Sequence, residues 1–243
     1  MRTNPPRHRP PARLLRFSAA LFTTLQTPHR FDALLFDFGG VLIDYASGPR
    51  LLEWLNYSIS PETLWRRWLL SPAVRAFESG KCSPERFAAD VVAEFSLPVN
   101  VADFLIEFAV WPRALMPGAT DLLRSLRGRF RLASFSNTNT LHWKHVQSQF
   151  DLLEHFDVHF PSHITGRIKP DEDGFRHIVD ALGCGAKQIL FFDDNPLNID
   201  GARAVGFEAV RVDGPDDIRR ALAHYDIAVD WVREALVCSE ARA

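Results

Sequence analysis

Cysteine is scarce: three in 243 residues, Cys82, Cys184 and Cys238, an odd number with no CxxC spacing. That excludes a disulfide framework and offers no zinc-ligand pattern, and it fits reduced thiols in the cytoplasm. No apolar run approaches the roughly 20 residues a membrane-spanning helix needs, so no membrane partner is expected. Internal repeats are lacking too, and the one biased segment is the start of the chain. Residues 1–30 hold no acid and no lysine against six arginines. The remainder, residues 31–243, then carries 22 basic groups against 30 acidic ones, a net charge of −8. Nucleic-acid affinity comes mainly from phosphate neutralisation, so an acidic body argues against a nucleic-acid partner. The leader 1–30 reads as a disordered basic extension, dispensable for activity. Within it, Phe17–Leu25 is short and threonine-interrupted for the apolar part of a secretory signal.

What is present is a globular composition, 47% hydrophobic and 24% charged. Four short apolar runs stand out: Ala33–Phe36, Leu132–Phe135, Ile189–Phe192 and Ala209–Val212. Continuous apolar runs of this length suit strands covered on both faces, as in parallel sheets. Helical-period stretches at Ala119–Leu126, Leu141–Phe150, Phe175–Leu182 and Ile199–Val205 lie between them. The alternation predicts an α/β fold with a parallel sheet over 31–44 and 117–225, leaving 226–243 as a tail. Residues 45–116 break the alternation and read as helical throughout. Ser60-Pro61-Glu62 and Ser83-Pro84-Glu85 each give an N-cap serine and a proline at the first helical position. Trp54, Trp65, Trp68, Phe77, Phe87, Phe95, Phe104 and Phe108 are the expected core of this helical module.

Polar residues gather just after the runs, where such sheets place their ligands. Asp37-Phe38-Gly39-Gly40 follows the first, with a carboxylate able to act as nucleophile or metal ligand. Ser136-Asn137-Thr138-Asn139 follows the second and offers donors to a phosphate at a helix N-terminus. Ile168-Lys169-Pro170-Asp171 supplies a cation. Asp193-Asp194 follows the third run, and adjacent carboxylates repel unless a cation such as Mg²⁺ compensates.

In this order and spacing the four motifs resemble the haloacid dehalogenase (HAD) superfamily of hydrolases. Within it, SNTNTLH and FFDDNPLNIDGARAVGF look like the bacterial α-D-glucose-1-phosphate phosphatase branch. The resemblance implies a Rossmann-like core with residues 45–116 as an inserted cap that closes over the substrate. It implies Asp37 as the nucleophile forming an aspartyl-phosphate, with Ser136 and the Asn137 region on the phosphoryl oxygens. Lys169 would pair with both nucleophile and phosphate. Mg²⁺ would be held by Asp37, the Gly39 carbonyl, Asp193 and Asp194. The implied reaction is hydrolysis of a small phosphorylated metabolite, with sugar phosphates the leading class. The turn Glu78-Ser79-Gly80-Lys81 would face the substrate, the alternative being an ordinary helix C-cap at Gly80.

One departure stands out. Most phosphatases of the superfamily carry a second aspartate two residues after the nucleophile, which protonates the leaving oxygen, and here that residue is Gly39. Losing a general acid costs about 10²–10⁴-fold in rate, and the loss hurts least with a good leaving group such as an anomeric oxygen. Gly39 is also expected to need a backbone conformation that aspartate tolerates poorly. Two other readings stay open: a 2-haloacid dehalogenase-type hydrolase, and a catalytically weak phosphate-binding protein on the same fold.

Overall fold

The computed structural model describes residues 30–45 and 47–229. The expectations for the leader, apart from Arg30, for Cys238 and for residues 230–243 lie outside the described residues. Strand β1 (Ala33–Phe36) is the centre of a parallel five-stranded sheet. On one side stand β4 (Arg131–Ser136) and the edge strand β5 (Val158–Pro161); on the other, β6 (Ile189–Asp193) and β7 (Glu208–Arg211). The register is continuous, with Leu34 beside Leu132 and Leu190.

The apolar runs divide by parity. Leu34, Phe36, Leu132, Leu190 and Phe192 enter one core cluster, while Ala33, Leu35, Phe135, Ile189 and Phe191 enter another. Alternate side chains of a strand point to opposite faces, so a run buried throughout must feed two cores. Helices α6 (Ala119–Leu126), α7 (Thr140–Gln149) and α11 (Pro215–His224) cover the first face. Helices α9 (Glu172–Leu182) and α10 (Pro196–Val205) cover the second. Each fully buried Leu or Phe contributes about 1.5–3 kcal/mol.

Between β1 and α6 lies the helical module: α1 (Ser47–Trp54), α2 (Pro61–Leu70), α3 (Pro72–Glu78), α4 (Pro84–Phe95) and α5 (Val101–Phe108). Ser60 and Ser83 accept from the backbone N–H of Thr63 and Arg86, which fixes two N-termini. Ser71-Pro72 repeats the pattern at α3, with Val74 N–H donating to Ser71. The module has its own core, including a Phe77–Phe87 stack at 4.4 Å. Trp65 is the exception among the eight expected aromatics: it is exposed and lies over Gly48.

The helical reading of 45–116 fails at both ends. Tyr45 lies in β2 (Ile43–Tyr45), which pairs antiparallel with β3 (Pro112–Leu115) as the two connections between core and module. These strands are too short to show a period. His142 of α7 ties the junction by donating from Nε2 to the Phe108 carbonyl at 2.6 Å. Burial pushes this histidine down to about 4, so it is neutral. The body also extends into the expected tail, because Ile227 is buried in the first core. Among the described residues no helix is long and apolar enough to cross a membrane.

Candidate active site

Asp37 follows the last residue of β1, and its N–H donates to the Phe192 carbonyl of the neighbouring strand. The chain then turns tightly. Ile43 N–H donates to the Phe38 carbonyl at 2.7 Å and Gly40 N–H to the Ile43 carbonyl at 3.0 Å. The left-handed residue of this turn is Gly40, with φ +69°, and not Gly39. A Cβ on Gly40 would stand 2.5 Å from Asp194 Oδ2, whereas one on Gly39 would meet only the Tyr45 ring at 3.4 Å. The expectation that position 39 demands glycine for its backbone is therefore corrected; position 40 carries that demand. Gly40→Ala is expected to cost about 1–3 kcal/mol from backbone strain alone and to displace the Asp194 carboxylate. Chemical denaturation measures the first, and an unchanged midpoint would show that the turn relaxes freely.

Lys169 is the organising cation. It is fully buried, with Nζ 2.9 Å from Asp37 Oδ1 and 2.6 Å from Asp193 Oδ2. Asn137 holds the Lys169 backbone from both sides: its Oδ1 accepts from Lys169 N–H, and its Nδ2 donates to the Lys169 carbonyl. The Asn137 side chain is thus committed to positioning Lys169, so any contact of this residue with phosphate falls to its backbone. Ser136 ends β4, buried, in register with Pro161 and next to β1 along the same sheet edge.

The adjacent aspartates divide their tasks. Asp193 is completely buried, and its two oxygens accept from Lys169 Nζ, the Asn195 N–H and Asn198 Nδ2. A carboxylate accepting that many donors has little capacity left for a cation. Asp194 accepts none of these and leans on Gly40 instead. Ligand oxygens of Asp37, Asp193 and Asp194 all lie within 4.8 Å of one another. Burial pushes Asp194 up to about 8, helped by the charges of Asp193 and Asp37. Burial likewise raises Asp37 to about 6 against the opposing pull of Lys169. For Lys169, burial lowers the pKa, but Asp193 and Asp37 more than compensate and the net shift is upward.

Fully ionised, three carboxylates against one ammonium would be short of two positive charges, the charge of one divalent cation, and the raised Asp37 and Asp194 values reflect the cost of ionising them without one. The Gly39 carbonyl accepts no hydrogen bond from any described residue and remains available beside Asp37. These are hard oxygen donors of the kind Mg²⁺ takes.

The helical module contributes its α3 end. Gly80 N–H donates to the Phe77 carbonyl and Lys81 N–H to the Ala76 carbonyl, so the turn is a Schellman C-cap with Gly80 left-handed. The ordinary-cap alternative describes its backbone correctly, yet the turn also rests on the core, where a Cβ on Gly80 would lie 2.4 Å from the His163 carbonyl. Lys81 is exposed and, with Arg75, Ser79, Arg167 and Asp171, lines a cleft of about 330 Å³ between module and core. Sequence reasoning missed Asn198, which donates to Asp193, and Tyr45, whose ring lies over Gly39. Asn198 had one legible signal, its place in the first turn of the helix after Asp193.

Residues 31–206 match the family model of the haloacid dehalogenase-like hydrolases. The chain is 28% identical over 185 residues to the sesquiterpene phosphatase astK of Aspergillus oryzae, covering 72% of this chain and 87% of that protein. It is also 28% identical to the drimenol cyclase drtB of Aspergillus calidoustus, over 79% of this chain but 36% of that much longer protein. Among solved structures, a HAD family enzyme of Bacteroides thetaiotaomicron, determined with magnesium and inorganic phosphate, is similar with a TM-score of 0.60. Its identity is 22%, over 74% of this chain and 93% of that one. The L-2-haloacid dehalogenase of Xanthobacter autotrophicus is similar with a TM-score of 0.54 at 22% identity, over 82% and 84% of the two chains. These two structural likenesses are likenesses of fold.

Proposed function

The chain belongs to the haloacid dehalogenase-like hydrolases, and from that premise we propose that it is a Mg²⁺-dependent phosphatase of small phosphorylated metabolites. The observation that carries the reading is the cluster of three carboxyls, Asp37, Asp193 and Asp194, around the single ammonium of Lys169, which full ionisation would leave two positive charges short. A dehalogenase, whose halide departs without a proton or a metal, has no use for the third carboxylate.

Asp37 is the nucleophile: one carboxylate oxygen attacks phosphorus and an aspartyl-phosphate forms. Lys169 holds that carboxylate in place and offsets the repulsion between two anions. Ser136 donates to the phosphoryl oxygens from the end of β4. Asp193, itself held by Asn198, keeps Lys169 oriented. Mg²⁺ would be held by Asp37, Asp194 and the Gly39 carbonyl, and when bound it supplies charge neutralisation at the phosphoryl group. The helical module acts as the cap over this edge. Sugar phosphates are the leading substrate class, because the cleft beside the cap is lined by Arg75, Ser79, Lys81 and Arg167, side chains suited to hydroxyls and phosphate. A sugar 1-phosphate, as in the α-D-glucose-1-phosphate phosphatase branch, also has the leaving group that Gly39 tolerates best.

The test is release of phosphate, or of halide, from sugar phosphates, prenyl phosphates and 2-haloacids with and without Mg²⁺. Phosphate release that needs the metal is expected, and halide release without metal would overturn the proposal. Asp194→Ala should raise the Mg²⁺ concentration needed for half-maximal rate by at least about tenfold, since it removes a charged ligand. An unchanged requirement would take Asp194 out of the metal site.

A further inference from the structure

The backbone at position 39 accepts a side chain, because its φ lies outside the left-handed region and a Cβ there would meet nothing closer than 3.4 Å. An alkyl leaving group needs a proton, and the resemblance puts the donor at this position. What stands there instead is a ring. Chain neighbours aside, the three atoms nearest to a Cβ on Gly39 all belong to Tyr45: Cδ2 at 3.4 Å, Cε2 at 3.5 Å and Cγ at 3.9 Å. The Cβ alone would already be in van der Waals contact, so a carboxyl carried one bond further competes with the ring for the same space.

The ring is aimed and held. The pairing of β2 with β3 slips in register between Asp44 and Tyr45, and such an irregularity re-aims the side chain beside it. Against the ring stands His142, edge to face, with centroids 5.7 Å apart. That imidazole is itself fixed: it stacks on Phe108 at 4.2 Å, donates to the Phe108 carbonyl and accepts from Asn139 Nδ2 at 3.1 Å. The helical module is pinned to the core as well. Arg75 Nη2 donates to Asp171 Oδ2 at 2.6 Å, and Gly80 packs on the His163 carbonyl in the short helix α8 (Ser162–Thr165). The phenol is no substitute acid, because burial drives its pKa further above the usual range, helped by the charges of Asp37 and Glu78.

We propose that Tyr45 is a specificity-determining residue whose ring takes the space of the missing acid and confines turnover to phosphates whose leaving oxygen departs without a proton, such as anomeric, acyl and aryl phosphates. The inference rests on the phosphatase reading above and narrows its substrate class. In the first step an Asp37 oxygen bonds to phosphorus, and the bond to the leaving oxygen breaks with its electron pair on that oxygen. Solvent protonates it after departure. In the second step water bonds to phosphorus as the Asp37–phosphorus bond breaks, and the water's proton goes to solvent. An oxygen as basic as a simple alkoxide leaves too slowly by this route.

The test uses the full-length enzyme supplied with Mg²⁺ and reads the ratio of kcat on an alkyl phosphate to kcat on p-nitrophenyl phosphate. Gly39→Asp alone, and Gly39→Asp with Tyr45→Phe, should keep the wild-type ratio, because the ring is still in place. Gly39→Asp with Tyr45→Thr opens the space and should raise the ratio by about 10²–10⁴-fold, the scale of general acid–base catalysis. A ratio raised as far by Gly39→Asp alone would overturn the proposal, since the ring would be no obstacle. A ratio unmoved in the threonine double variant would overturn it too. Tyr45→Leu replaces Tyr45→Thr if the threonine protein melts below the assay temperature. The wild type carries a test of its own: turnover across a series of aryl and alkyl phosphates should fall steeply as the leaving oxygen becomes more basic. A flat series would reveal a working proton donor and overturn the proposal. In each of these failures a wild type that releases phosphate leaves the phosphatase reading standing; a wild type inert toward every phosphate removes both.

Discussion

Asp37→Asn should abolish phosphate release while the protein folds normally. Removing the nucleophile from enzymes that work through a covalent intermediate costs roughly 10⁴–10⁶-fold in kcat, and no neighbouring group can take over. Asp193 is taken up by its donors, and Asp194 packs against Gly40. Asparagine has nearly the same shape and keeps an oxygen for Lys169. It also removes one of three crowded carboxylates, and Asp37 is already pushed up to about 6 by burial. Thermal stability should therefore be unchanged or slightly increased in metal-free buffer. The measurement is inorganic phosphate release beside a melting curve. Activity above trace contamination would remove Asp37 from its role, and a collapse of the melting transition would mean that the charge itself holds the fold.

Lys169→Met should damage activity and stability together. The side chain is buried to 1% exposure, and the change leaves Asp37 and Asp193 as buried carboxylates without their cation. Breaking a buried ion pair from one side costs about 3–5 kcal/mol. The pH dependence follows in sign. Asp37 is already raised to about 6 by burial against the pull of Lys169, and losing that pull raises it further, so the folded state binds more protons than the unfolded state. Stability is then lost as pH rises through the raised Asp37 value. The variant should melt closest to wild type near about pH 5 and fall furthest behind near about pH 8. A penalty independent of pH would show that lost packing, not unpaired charge, is responsible. The cation also guides phosphate, so turnover should not return at any pH.

Much of the fold was legible because a strand covered on both faces must be apolar at every position. Ala33–Phe36 and Ile189–Phe192 obey that rule, and the acids Asp37 and Asp193 immediately follow or end them. In a parallel sheet all those ends share one edge, so reading the strands located the site. The edge strand Val158–Pro161 escaped because only its last two residues are buried, and its sequence does not alternate. The pair β2–β3 escaped because three or four residues carry no period.

The sequence by itself determined the fold class, the helical insert and the set of chemistry-bearing residues at the sheet edge. Local pattern suffices there, since burial on one or both faces is written residue by residue. Only the tertiary structure decided how the two adjacent aspartates differ. One is taken up by Lys169 and Asn198; the other packs against Gly40 within the same carboxylate cluster. Adjacent residues in a chain share a local sequence but meet different partners, and those partners come from distant segments. The same reason made Gly40, not Gly39, the backbone constraint, since the obstacle at Gly40 is the Asp194 side chain from another strand end. It also docked the end of α3 on the core. No spacing within α3 reveals that docking, because it depends on Arg75 and Gly80 meeting loops much later in the chain.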